Sequence, residues 1–164
     1  MRFCIKKGHH QAFPYDWMRW WPFLIRPCRI QRMVKFDRSA SYLLGEDQLD
    51  ENKLFGVSFF MPHKNSARIS WRWDDAISAF VLSAYTYIDG KREIKPICQC
   101  YADRWYKCSI SISKHATWIF SVVDDAGNIT GHYCSGKRTF FALLLGLYFG
   151  GNKTAPHDMW VSIA

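Results

Sequence analysis

The sequence has no long hydrophobic segment. Its longest apolar run, Phe140–Phe149, is about half of the roughly 20 residues that a membrane-spanning helix needs. We therefore expect no membrane span and interpret this run as one or two buried strands. The first residues, Met1–Lys7, also lack an apolar stretch of signal-peptide length, which predicts that the chain is not exported by that route.

The sequence also lacks short catalytic motifs. Neither Gly-x-Ser-x-Gly nor His-Glu-x-x-His occurs in it. The six histidines are at 9, 10, 63, 115, 132 and 157, and none belongs to such a motif. The pattern disfavours an enzyme without excluding one, because catalytic groups can meet from distant strands.

Metal-ligand spacing is absent as well. Cys98 and Cys100 are separated by one residue, whereas zinc knuckles have two to four, and no second pair follows. The acidic loop 46–51, with Asp74 and Asp75, offers oxygen ligands but not in the order of an EF-hand, so we interpret it as a solvated charged loop. We predict no metal and no cofactor. Without an export signal, the cysteines at 4, 28, 98, 100, 108 and 134 are expected to be free thiols in a reducing compartment.

What the sequence has in excess is aromatic and basic residues. The 164 residues are 49% hydrophobic and 17% aromatic, which is typical of one folded domain spanning 1–164. The formal net charge is +8, with a pI near 9.3. The first interpretation of such a charge is a solvated basic surface. The second is binding to an acidic partner. Basic residues interleaved with aromatics at 19–38 keep nucleic acid as an alternative, although no RNA-recognition consensus supports it.

Short β-rich runs alternate with turn signals from about residue 53 onward, at the spacing expected of a sandwich or barrel. We predict an all-β fold, an antiparallel two-sheet β-sandwich. Asp89-Gly90 is the pair that a type I′ hairpin needs, and residues 125–128 join two further runs in the same way. The predicted strands are 29–36, 54–60, 67–73, 80–88, 93–100, 105–113, 117–123, 128–133, 139–149 and 159–164.

Period-two alternation assigns the faces of these strands. In the run from Trp105, the residues predicted to be buried are Tyr106, Cys108, Ile110 and Ile112. Trp118, Phe120 and Val122 continue that side in the next strand, and Met159, Val161 and Ile163 do so in the last.

The first fifty residues are less regular and rich in aromatics. Residues 13–23 carry six aromatic side chains and two prolines, which favours an aromatic-lined loop over a strand. If that loop is exposed it would be a docking patch for another protein.

A candidate ligand site follows from the alternation in 67–73. Arg68 and Arg72 share one face of that strand, and the two tryptophans on the other face are expected to be core. Guanidinium groups bind carboxylates and hydroxyls. The loop 149–158 combines glycine with polar residues. This composition is typical both of a ligand-binding loop and of a structural turn. The predicted ligand-binding residues are Arg68, Arg72, Tyr85, Asn152 and His157.

Three stretches carry a resemblance to a known fold family: 65–73, 84–87 and 147–158, with a short further match at 5–9. They resemble small uncharacterised bacterial domains of the concanavalin A-like jelly-roll sandwich, the fold of many lectins and of some glucanases and polysaccharide lyases. The resemblance implies a fold more than an activity. Its enzymes use paired glutamates or a set of Arg, Gln, His and Tyr, and neither set can be placed here, since Glu93 is the only glutamate after residue 51.

These observations together predict a non-catalytic binding module, with glycans as the ligand. One alternative is a structural or attachment subunit of a larger surface or virion assembly, docking through 13–23 onto a protein partner. Another is a basic nucleic-acid binder, which we disfavour. A glycan-cleaving enzyme would rest on analogy of fold alone.

Overall fold

The computed structural model describes residues 1–13, 23–25, 29–59, 61–137 and 141–164. Strands account for 57%, and the helices of the described residues are short 3-10 turns. Within these residues the strands are β1 (Arg2–Ile5), β2 (Ala12–Phe13), β3 (Phe23–Ile25), β4 (Arg29–Phe36), β5 (Asn52–Ser58), β6 (Ser66–Asp74), β7 (Ala79–Ile88), β8 (Lys91–Cys100), β9 (Tyr106–Ile112), β10 (Thr117–Val123), β11 (Ile129–Ser135), β12 (Phe141–Leu145) and β13 (Met159–Ile163).

The strands form two antiparallel sheets packed face to face. One has seven strands in the order β11-β10-β9-β4-β13-β1-β2, and the other has six in the order β3-β12-β5-β6-β7-β8. The predicted all-β, two-sheet sandwich is therefore confirmed.

Alternation of side chains builds the core between the sheets. In β9 the residues Tyr106, Cys108, Ile110 and Ile112 are buried, as predicted, and so are Trp118, Phe120 and Val122 in β10. From the six-stranded sheet, Trp71 and Phe80 pack against Phe36 of β4, with ring centroids 5.1 and 4.3 Å away. Burial of this much aromatic surface is the main force that holds the two sheets together.

Both predicted hairpins are present, but the β10–β11 connection has a positive φ at Gly127 alone and is not a type I′ turn. Asp89 and Gly90 have φ of +51° and +83° and join β7 to β8, as a type I′ turn requires. In the β10–β11 turn, the Asp124 carboxylate accepts hydrogen bonds from the backbone N–H groups of Ala126 and Asn128. The turn chemistry fixes the register of both pairs.

Two expectations need correction. Strand β12 ends at Leu145 and not at 149, and Phe141 is 54% exposed, so the apolar run is not a fully buried strand. Strand β1 had no counterpart in the prediction, although it lies between β13 and β2.

The proposed docking patch falls mostly on 14–22, outside the described residues. At its N-terminal end, the Phe13 side chain is 55% exposed. No helix in the described part of the chain has the length and apolar character to cross a membrane.

Candidate functional site

The side of the six-stranded sheet that points away from the core carries a concentration of basic and phenolic side chains. We call it the outer face. Arg68 on β6 pairs in register with Tyr85 on β7, so the two side chains are neighbours there. Two residues along, Ser66 pairs with Tyr87, and four residues the other way, Arg72 pairs with Val81. The alternation predicted for 67–73 is thus confirmed.

Arg72 is held by two carboxylates. Its guanidinium lies 3.3 Å from Glu51 Oε1 and 3.6 Å from Asp74 Oδ2. Glu51 is almost fully buried, and its Oε1 also accepts a hydrogen bond from Ser83 Oγ at 3.2 Å. Burial raises the pKa of Glu51, and hydrogen bonds together with the charge of Arg72 oppose that rise. Arg72 therefore compensates a buried carboxylate.

Arg68 has no such partner. Its side chain is half-buried, its Nε atom is buried without a hydrogen bond, and it makes no ion pair within the described ranges. Burial lowers the pKa of Arg68, and the phenols of Tyr85 and Tyr87 oppose the shift. The guanidinium remains charged near neutral pH because arginine side chains in proteins keep their proton throughout that range.

Gly56 of β5 makes room for Arg68. The two residues pair in register, and a Cβ atom on Gly56 would lie 2.6 Å from Arg68 Cα and 2.3 Å from the carbonyl oxygen of Ala67. Any larger residue would push β5 and β6 apart at this point. The glycine therefore helps to fix the position of Arg68.

Lys53 is the second basic residue at the centre of the outer face. A bulge in β5 between Lys53 and Phe55 buries Leu54 and Phe55 together, and Lys53 pairs with Ser70 on the outer side. Its Nζ donates to the carbonyl oxygen of Gly150 at 3.0 Å and lies 5.2 Å from the ring centre of Tyr85. Burial, followed by the charge of Arg68, lowers the pKa of Lys53 to about 8.

Aromatic side chains surround the two cations. Tyr85 is buried, and its ring meets that of Tyr87 edge to face at 5.8 Å. Tyr148, half-buried, lies on the other side of Lys53, with its ring centre 5.8 Å from Nζ, and stacks flat against His10 at 5.1 Å. Burial and the Tyr87 hydroxyl raise the pKa of Tyr85, so its phenol keeps its proton.

The loop 149–158 begins at this site and then leaves it. Gly150, at φ +71°, presents its carbonyl to Lys53, and its N–H donates to Asn52 Oδ1. Asn152 is exposed two residues later. His157 lies elsewhere, with Nε2 2.8 Å from the carbonyl oxygen of Ser39 near the seven-stranded sheet.

The structure thus brings Arg68 and Tyr85 together and gives Arg72 a structural partner. Within the described part of the chain, no contact joins Asn152 or His157 to Arg68. The prediction that all five residues contact one ligand remains a prediction.

Unused hydrogen-bonding capacity collects on the outer face. Of the buried side-chain polar atoms without a partner in the described residues, Ser58 Oγ, Arg68 Nε and Arg72 Nε all belong to side chains of that face. Native proteins satisfy nearly all such atoms, so each exception calls for an explanation, and a bound ligand or water would supply one.

Histidine, cysteine and acidic side chains do not cluster in the described part of the chain. In the ranges that the structure describes, no group of three or more His, Cys, Asp or Glu side chains could hold a metal ion. The five cysteines described there are free, and Cys28 lies outside them. The nearest sulfur pair, Cys98 and Cys100, is 3.8 Å apart. A disulfide bond would need about 2.05 Å.

Sequence reasoning missed Lys53, Glu51 and Tyr148. Glu51 was interpreted as part of a solvated acidic loop, yet it is buried beneath the outer face. The apolar pair Leu54-Phe55 breaks strict alternation, and such a break is the signal of a bulge that could have placed Lys53. For Tyr148 no local signal existed, because its partner Lys53 is far away in the sequence.

Comparisons with known proteins support the fold. No protein-family model matches the sequence, and a search of curated proteins finds no match. Among solved structures, an alginate lyase from Klebsiella pneumoniae aligns with a TM-score of 0.62 at 6% identity, over 82% of this chain and 56% of the lyase. A functionally unknown protein from Saccharomyces cerevisiae aligns at 0.55 and 12% identity, over 87% of this chain and 71% of that protein.

Scytalido-glutamic peptidase gives a TM-score of 0.50 at 8% identity, over 87% of this chain and 77% of the peptidase. At such low identities these likenesses show a shared β-sandwich fold alone.

Proposed function

We propose that this chain is a non-catalytic glycan-binding module whose site is the outer face around Arg68 and Tyr85. We also propose that its fold belongs to the concanavalin A-like jelly-roll sandwiches. The observation that carries the proposal is Arg68, a half-buried guanidinium with no ion pair in the described residues, set beside phenolic side chains. An alginate lyase among the structures of this fold supports a carbohydrate ligand.

The chemistry of the outer face suits a sugar. Sugars place apolar C–H faces on aromatic rings and direct their hydroxyls to charged and amide groups. The half-buried phenols of Tyr87 and Tyr148 would provide ring surface to a sugar. Arg68 and Lys53 would donate hydrogen bonds to its hydroxyls. Asn152 would extend the site along its loop. His157 would join only by giving up its hydrogen bond to Ser39.

A glycan array tests the proposal. The intact chain should bind at least one glycan, and Arg68→Ala should weaken that binding at least tenfold. Arg104→Ala is the matched control. Arg104 lies in the β8–β9 loop with its guanidinium carbon 5.7 Å from the ring centre of Tyr101, so this variant also removes an arginine beside a tyrosine. A chain that binds nothing on the array, or an Arg68→Ala variant that binds as well as Arg104→Ala, would refute the proposal.

A further inference from the structure

Two arginines on one face of β6 differ in their ion pairs. Arg72 pairs with Glu51 and Asp74, both within 4 Å. Arg68 receives no carboxylate within the described part of the chain, and the neighbours that affect its pKa electrostatically are the phenols of Tyr85 and Tyr87. An unpaired buried charge is costly, and natural folds normally supply a partner. The partner of Arg68 is therefore to be sought outside the described residues, and a bound ligand would supply it.

A second cation lies close to the first. Lys53 lies near enough to Arg68 for the charge of the arginine to lower the pKa of the lysine, and Lys53 Nζ donates its hydrogen bond to a neutral carbonyl, that of Gly150. Like charges repel most strongly where water is excluded. A bound anion would relieve both the desolvation and the repulsion.

We propose, on the basis of the glycan-binding function above, that the ligand is an acidic glycan whose sugar carboxylate is held jointly by Arg68 and Lys53. The planar fork of a guanidinium matches a carboxylate through two parallel hydrogen bonds. The ring that carries the carboxylate then lies against Tyr87 and Tyr148. A uronic acid residue has this combination of a flat apolar side and a carboxylate.

Protonation of Lys53 gives the proposal a second signature. A bound carboxylate favours the charged amine, so the pKa of Lys53, about 8 in the free protein, rises on binding and a proton is taken up. Affinity is therefore full below about pH 8 and declines as pH rises through that value. The charged and titratable groups that face Lys53 are Asp50, Glu51, Arg68, Arg92, Tyr85 and Tyr148.

Titration calorimetry on the full chain tests the inference. The probes are oligosaccharides of mannuronate, guluronate, galacturonate and glucuronate, each beside its carboxyl-reduced neutral form, with dextran sulfate as a second anion. At least one uronate should bind at pH 7 ten times more tightly than its reduced form and more tightly than dextran sulfate. Arg68→Met should remove this preference, whereas Arg104→Met should keep it.

The pH dependence isolates Lys53. From pH 7 to pH 9 the affinity of the intact chain for that uronate should fall several-fold. Lys53→Arg, which stays charged, should show no such fall. Melting curves recorded at both pH values establish that each variant is folded.

The possible failures are distinguishable. Equal affinity for a uronate and its reduced form would overturn the acidic ligand and leave the glycan-binding proposal intact. Stronger binding of dextran sulfate would overturn the carboxylate. If Arg68→Met still prefers the uronate over its reduced form, the assignment of carboxylate binding to Arg68 is overturned. Binding of no sugar at all would overturn the glycan-binding function as well.

Discussion

Arg68 and Arg72 offer an internal comparison at the scale of single residues, since the same side chain occurs twice on one face of β6. Arg72 neutralises Glu51, whose side chain is only 3% exposed. Arg68 neutralises nothing in the described residues and leaves Nε without a partner. Substitution of Arg72 should therefore reduce stability, whereas substitution of Arg68 should affect ligand binding.

Arg72→Met should destabilise the protein by about 3 kcal/mol, because it leaves the Glu51 carboxylate buried without its cation. Arg68→Met should leave the free energy of unfolding unchanged or raise it by up to about 1 kcal/mol, because it keeps the packing of the aliphatic stem and removes an unpaired charge. Urea denaturation of the two variants measures the contrast. Equal losses at both positions would show that Arg68 is also structural.

This comparison also explains what alternation along one strand can and cannot reveal. The pattern of 67–73 showed that both arginines leave the core on the same side. It contained no information on partners, because Glu51 reaches Arg72 from the start of β5, about twenty residues earlier in the chain. Reading residues 46–51 as a solvated loop hid that carboxylate.

At the scale of secondary-structure elements, the close approach of β5 and β6 determines where Arg68 stands. Gly56→Ala should cost about 2 kcal/mol or more, since the new methyl group would overlap the Ala67 carbonyl and Arg68 Cα and both belong to the backbone. Ser58→Ala, two residues away on the same face, removes only an unpartnered hydroxyl and should be nearly neutral. Thermal denaturation of both variants checks this. A Gly56→Ala protein as stable as Ser58→Ala would contradict the close approach.

The elements that the sequence predicted well are those fixed by neighbouring residues. The Asp89-Gly90 turn and the capped turn after Asp124 each specify a hairpin, and β6 to β11 were found within about two residues of their true ends. Strand β1 was missed because its four residues are too few to show periodicity and its partners come from distant segments. Likewise, Tyr148 pairs with Lys53 across roughly a hundred residues.

At the scale of the whole molecule, a core this size does not depend on covalent cross-links. Burial of Trp71, Trp118 and the aromatic cluster around them supplies the stabilisation that disulfides give to smaller domains. Thiol titration under denaturing, non-reducing conditions should accordingly find all six cysteines free. A count of four or fewer would show that at least one disulfide forms and would indicate an oxidising compartment.

The pairing of β1 with β13 determines when each sheet can be completed. Strands β5 to β8 follow one another in sequence and in space, so their part of the six-stranded sheet can form as soon as residue 100 is available. In the seven-stranded sheet, β1 has to wait for β13, and β4 has to wait for both β9 and β13. Contacts between such distant segments form slowly, because a long loop must close first. During synthesis on the ribosome, the strands that carry Arg68 and Tyr85 can therefore pair while the apolar residues of β1 are still uncovered.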